Sequence, residues 1–195
     1  MPAKKPSPPR LPAIPAERLT PAQQALIESI RSGPRGQATQ MRGPFAVFLH
    51  SPHYGQLAQQ LGGYCRLGTR VPPRLSEFAI LLTARLWRSQ YEWFAHTGHA
   101  QRAGVTPQTI AALQRGRLPK AAPKDELAVY AFVKELYRDK RVSDKTYARL
   151  HAFLGNDVMV EFVGILGYYV LVAMSLNVFR MGPPAGEPLP FPEAP

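Results

Sequence analysis

Cysteine is nearly missing from this chain of 195 residues: Cys65 is the only one, so an intramolecular disulfide and a two-thiol redox cycle within one chain are both excluded. Acidic residues are also few, 13 Asp and Glu against 24 Lys and Arg, which leaves a formal charge of +11. No stretch alternates apolar and polar residues over a strand's length, and no segment repeats, so an all-α fold is expected. Lys4 and Lys5 are followed by prolines instead of an apolar run. No secretory signal is legible there, and a cytoplasmic protein is expected. The basic residues are scattered, with no densely basic helix face and no aromatic–glycine RNA motif, so nucleic acid is not the expected partner. The same charge suits attraction of a small anionic metabolite.

Proline is plentiful, at 21 residues, but most of it lies in 1–22 and 183–195. The chain therefore divides into a Pro-rich amino-terminal arm (1–20), a helical domain (21–182) and a Pro-rich carboxy-terminal tail (183–195). Thr20-Pro21 opens a first helix that stops at Gly33-Pro34. Gly43-Pro44 opens a short apolar helix closed by Ser51-Pro52, and a helix over 53–67 follows. Leu57, Leu61, Tyr64, Cys65 and Gly68 are expected on its buried face, with Cys65 a small buried hydrophobe. After the break at Val71-Pro72-Pro73, a helix apolar around most of its circumference is expected to lie at the centre. Helices over 108–115 and 124–139 come next, then one from Ser143-Asp144 to about Gly155-Asn156 and a last one over 157–180. The last run is about as long as a bilayer core. Glu161 inside it and Asn177 near its end favour a buried or subunit-interface helix, so no membrane is expected.

Chemistry concentrates between Arg74 and Gly104, where Glu77, Ser89, Glu92, His96 and His99 interrupt an apolar helical pattern. Carboxylates and imidazoles in such surroundings need a partner or a task. Glu92 and His96 are four residues apart and share a helix face, so a carboxylate can orient an imidazole there. On one straight helix Glu77 would point roughly 120° away from Ser89. It reaches His96 only if the chain bends near 88–91 or if two helices pair. Tyr91 and Trp93 are candidate pocket walls, though both also fit plain core. Ser89 fits a substrate contact or a helix cap. Glu92 and His96 equally fit a buried ion pair between packed helices. Glu92, His96 and His99 along one face also fit a divalent metal site; the primary expectation is no metal and no organic cofactor.

The spacing R-x-x-E-x-A-I-L from Arg74, followed by YEW-x-x-H-x-x-x-A-x-x-A-G-V from Tyr91, resembles the carboxymuconolactone decarboxylase family, related to alkylhydroperoxidase D. Gly43-Pro44-Phe45 through Ser51-Pro52, and Asp157 to Phe179, are similar to its flanking helices, so the resemblance spans about 40–180. It implies an alkylhydroperoxidase D-like helical domain assembled as a homo-oligomer, commonly a trimer or hexamer. In the peroxidase branch a Cys-x-x-Cys stands where this chain has Ser89 and Glu92, so dithiol peroxidase activity is not expected. The resemblance implies instead a cofactor-free decarboxylase acting on a small carboxylated or lactone metabolite of aromatic catabolism. His96 is then the general acid/base, Glu92 its orienting or proton-exchanging partner and Glu77 a second acid/base group. Arg74, Arg85 or Arg88 would hold a carboxylate, Arg74 first because it begins the shared motif. An isomerase or hydrolase on the same scaffold, or a catalytically silent oligomeric binding protein, are the alternatives.

Overall fold

The structure, a computed structural model, describes residues 8–192, so parts of both Pro-rich tails, 1–7 and 193–195, lie outside the described residues. The described chain is all-α: eight helices, a 3-10 turn at Ala16–Arg18 and no strand. In order these are α1 (Pro21–Ser32), α2 (Pro44–Phe48), α3 (Pro52–Leu67), α4 (Pro73–Leu86), α5 (Gln90–Arg102), α6 (Pro107–Gln114), α7 (Lys124–Asp139) and α8 (Asp144–Val178). Proline sits in the first turn of α1 to α4 and of α6, where its missing N–H costs nothing. At Thr20 a full capping box forms: Gln23 N–H donates to the Thr20 hydroxyl, and Thr20 N–H donates to the Gln23 side chain. Thr106 and Ser143 cap α6 and α8 the same way on one side.

α4 is the centre, as its composition requires. Residues 75–84 are buried without a gap, and α5, α6, α7 and α8 pack around them. α8 is broken at Gly155, where φ 70° and ψ 177° lie in a region open essentially to glycine alone. The expected end near Gly155-Asn156 is therefore a kink between two consecutive helical segments. By length and composition α8 could cross a bilayer, with a mean hydropathy of 1.9 in its most apolar window. Its inner residues Phe162, Ile165, Leu166 and Tyr169 are buried in the main core. Glu161 accepts hydrogen bonds from the Arg70 N–H and the Tyr64 hydroxyl, which ties α8 to α3.

The face of α3 is a correction. Leu57, Leu61 and Tyr64 point outward at 59, 51 and 52% exposure, and Gly68 is exposed too; of the expected face only Cys65 is buried. The helix packs instead through Gly55, Ala58, Gly62 and Gly63. A Cβ at Gly55 would press on Leu26 and Phe48, and one at Gly62 would strike the Tyr168 hydroxyl. Small residues allow a close helix approach, and the large ones are left outside. Leu26, Ile30, Phe48, Leu49 and Ala58 form a small second core beside the main one.

Between α4 and α5 the chain reverses without glycine or proline. Arg88 takes the left-handed conformation (φ 53°), while its N–H bonds the Arg85 carbonyl and the Ser89 N–H bonds that of Ala84. This is a Schellman ending with arginine where glycine is usual. The carboxy-terminal tail straps the turn. Gln90 brackets the Phe191 backbone with both ends of its amide, Gln114 donates to the Pro190 carbonyl, and Arg88 to that of Pro192. The Phe191 ring meets Trp93 edge-on at 5.9 Å between centroids.

Candidate active site

The Arg88 reversal lays α5 back along α4 and brings Glu77 to His96. His96 Nδ1 and Glu77 Oε2 are 2.7 Å apart, both groups buried. The condition that the spacing imposed on Glu77 is thus met by a helix pair. The partner of His96 is Glu77, not Glu92, which corrects the orienting role expected of Glu92: an across-helix carboxylate, not the neighbour one turn away, reaches the ring. Burial pushes the Glu77 carboxyl up, but the His96 hydrogen bond, the His96 charge and Arg66 outweigh it and hold it below the usual range. An ionised carboxylate only accepts, so Nδ1 carries the proton of this bond and Nε2 is left for other work.

Glu92 is in a different state. It is 2% exposed, and neither carboxyl oxygen has a hydrogen-bond partner. Burial pushes its carboxyl well above the ordinary value; Ser89 lies near enough to temper this, yet its hydroxyl also misses hydrogen-bond geometry. Burial without a partner therefore favours the neutral acid at Glu92. Ser89 stands at the N-cap of α5 but makes no capping bond.

Glu92 and His96 are among the residues that line one partly open cavity of about 120 Å³, with both Glu92 carboxyl oxygens shielded from solvent. Tyr91 and Ala95 on α5, Tyr168, Tyr169, Val172 and Leu176 on α8, and Pro44 and Phe45 on α2 complete its walls with two guanidinia, Arg35 and Arg66. Tyr169 meets the His96 ring edge-on at 5.0 Å, and burial pushes its phenol well above the ordinary value. Burial likewise pushes Tyr168 up to about 12. Gly43 (φ 56°) is pressed against Tyr91, where any Cβ would enter the ring. A larger surface concavity of about 660 Å³ lies beside Trp87, Tyr137 and Lys134, but neither carboxylate nor imidazole lines it. The candidate acid and imidazole line the smaller cavity.

The other expected residues lie elsewhere. Arg74 is turned to α7, paired with Asp125 and the buried Glu126, and does not line the cavity. Arg85 bonds the Gln114 carbonyl and lies 5.2 Å over the Phe191 ring, while Arg88 serves the turn. Trp93 is core, packed on the tail. His99 has both ring nitrogens 2.7 Å from guanidinium groups, of Arg66 and Arg102. Burial first, then Arg66, pushes it down to about 4. Its ring lies 5.9 Å from that of His96, but both its nitrogens face cations, and among the described residues no three acidic, imidazole or thiol groups are placed to hold a metal. Arg35 and Arg66 escaped notice in the sequence: one lies in a polar linker and the other among scattered arginines, and no spacing ties either to α5. Cys65 is buried, and that burial pushes its thiol up, which suits a packing residue. No family model matches the chain and no curated protein matches it significantly, so the site is defined by its own geometry.

Proposed function

We propose that this chain is a cofactor-free acid/base enzyme of the carboxymuconolactone decarboxylase kind, acting on a small carboxylated or lactone metabolite of aromatic catabolism. The observation that carries the reading is that His96, gripped at Nδ1 by Glu77, and a neutral Glu92 face the same partly open cavity. A packed-over ion pair would have no such opening.

In this mechanism the bond from carbon to the departing carboxylate breaks, carbon dioxide leaves, and the electron pair enters the conjugated lactone, whose oxygen takes the negative charge. Neutral Glu92 then delivers its proton to carbon. The carboxylate left behind is buried and costly, so it is promptly reprotonated by His96, which takes a proton from solvent at Nε2 while Glu77 keeps the ring in place. The same two groups would serve isomerisation of an unsaturated acid, a reaction that leaves the substrate's mass unchanged. Dithiol peroxidase chemistry has no place in the reading, because Ser89 and Glu92 supply no thiolate.

A cytoplasmic homo-oligomer, a trimer or hexamer, belongs to the same proposal. Its support is the outward apolar face of Leu57, Leu61 and Tyr64 on α3 and Val160 and Val163 on α8, two helices joined by the Tyr64–Glu161 bond. The test is a screen of muconolactones and related lactone acids for release of carbon dioxide. His96→Ala is expected to abolish turnover while thermal unfolding stays cooperative. If that variant unfolds and no acid is ever turned over, Glu77–His96 is a structural pair and the catalytic reading falls.

A further inference from the structure

We propose that Arg35 and Arg66 form the anion clamp of this cavity, and that its ligand is a small planar monocarboxylate whose buried part is no larger than a single ring. The proposal rests on the reading of the cavity as the active site, and it names recognition groups that stand outside the Arg74–Gly104 stretch.

Both arginines line the cavity from outside α5: Arg35 from the linker between α1 and α2, Arg66 from the last turn of α3. Among the described residues neither is in an ion pair with a carboxylate, whereas Arg70, Arg74 and Arg138 all are. Arg35 lies over the Phe45 ring at 5.2 Å, and its Nε is buried with no acceptor. Arg66 directs one nitrogen to His99. A forked cation with a buried, unanswered N–H is suited to a planar oxyanion, which accepts from two donors at once.

Charge counting narrows the class. Arg35 and Arg66 bring two positive charges to the cavity lining and Glu77, bonded to His96, removes one, so one positive charge remains when Glu92, His96 and His99 are uncharged. One carboxylate cancels it. A dianion would leave excess negative charge beside a buried carboxyl whose ionised form is already disfavoured. Size narrows it further. An apolar cavity of about 150 Å³ holds benzene, and this one measures about 120 Å³, with Phe45, Val172 and Leu176 as its apolar wall.

The test is calorimetric titration of the full-length protein with benzoate, benzamide and terephthalate. Benzoate is expected to bind at least about ten-fold more tightly than either of the others, a gap that one charge-assisted contact supplies. Arg35→Gln and Arg66→Gln are each expected to weaken benzoate about ten-fold or more and to leave benzamide unchanged. Equal binding of benzamide, tighter binding of terephthalate, or benzoate affinity untouched in both variants overturns the clamp. Arg35→Gln is the decisive arm, because Arg35 bonds neither Glu77 nor His96. Should it not fold, Arg35→Lys, which keeps the charge and loses the fork, is expected to weaken benzoate by about three-fold or more, and unchanged affinity counts against the proposal. Benzoate binding that is lost in Arg35→Gln while the native protein decarboxylates nothing leaves the clamp standing without the decarboxylase. Release of carbon dioxide from a lactone acid at a rate that Arg35→Gln does not slow does the reverse.

Discussion

At the scale of single residues, the site is two glutamates in opposite states. The His96 hydrogen bond favours the ionised form of Glu77, and burial without partners favours the neutral form of Glu92. The signs for stability are therefore opposite. Glu77, lowered in the folded state, contributes stability above the ordinary glutamate range that is lost as pH falls through its folded value. Glu92, raised in the folded state, contributes stability that is complete at acid pH and is lost as pH rises toward its folded value, at up to about 1.4 kcal/mol per pH unit. Glu92→Gln, of the same shape and never charged, is expected to remove that alkaline loss. Urea unfolding between pH 5 and 9 should give a flatter profile for the variant than for the native chain, while turnover falls about a hundred-fold or more for want of the acid. A variant profile that still declines in parallel with the native one would place the buried charge elsewhere. The membership of Glu92 and His96 was legible in the sequence, since polar groups in an apolar helical pattern stand out. Their pairing was not, because periodicity relates residues on one helix and says nothing of the carboxylate brought in by the next.

At the scale of elements, helix starts were legible where they are written in local chemistry: Thr20-Pro21 and Gly43-Pro44 each fix a first turn, whereas Ser51-Pro52, expected to close α2, opens α3 as well. The α4–α5 reversal was hidden because its left-handed residue is Arg88 instead of glycine. Arg88→Gly should relieve that strain, raising stability by about 0.5–1 kcal/mol after the flexibility gained by the unfolded chain is deducted. A melting temperature about 1–4 °C higher is the expected readout, and a fall would mean that the Arg88 bond to Pro192 matters more than the backbone. Proline content sets the tail apart from the helical domain, yet Phe191 is a core residue packed on Trp93 of α5. Phe191→Ala should cost about 3 kcal/mol, in the range for truncating buried aromatics. Because α5 carries both Glu92 and His96, turnover of the folded fraction should fall with it. The outward turn of α3 had a different cause: size alone marks Leu57, Leu61 and Tyr64 as core, and only the neighbours of Gly55 and Gly62 reveal that the small face is inside.

For the whole molecule, that outward face is the place to test assembly. Leu61→Glu puts a charge on an exposed position, so a monomer should tolerate it with a change within about 0.5 kcal/mol. In an oligomer built on α3 and α8 it would be driven into an apolar contact. Sedimentation should show the native chain larger than one copy and the variant smaller, both equally helical; native protein that sediments as a single copy would remove the oligomer from the proposal.

The two unequal cores have a consequence for kinetics. Arg35 and Phe45 stand on the side of the small cluster around Leu26 and Phe48, whereas Glu92 and His96 belong to α5, packed on the main core. The cavity is therefore a seam, and a molecule held by both walls is a strut across it. The small cluster, with five buried residues, is the part that opens most readily, as lightly packed regions do. Entry into the seam would then be timed by breathing of α1 to α3, and a bound acid would slow that breathing. Amide exchange in α1 and α3 should slow on saturation with ligand, while that of α7, which lines no part of the cavity, keeps its rate.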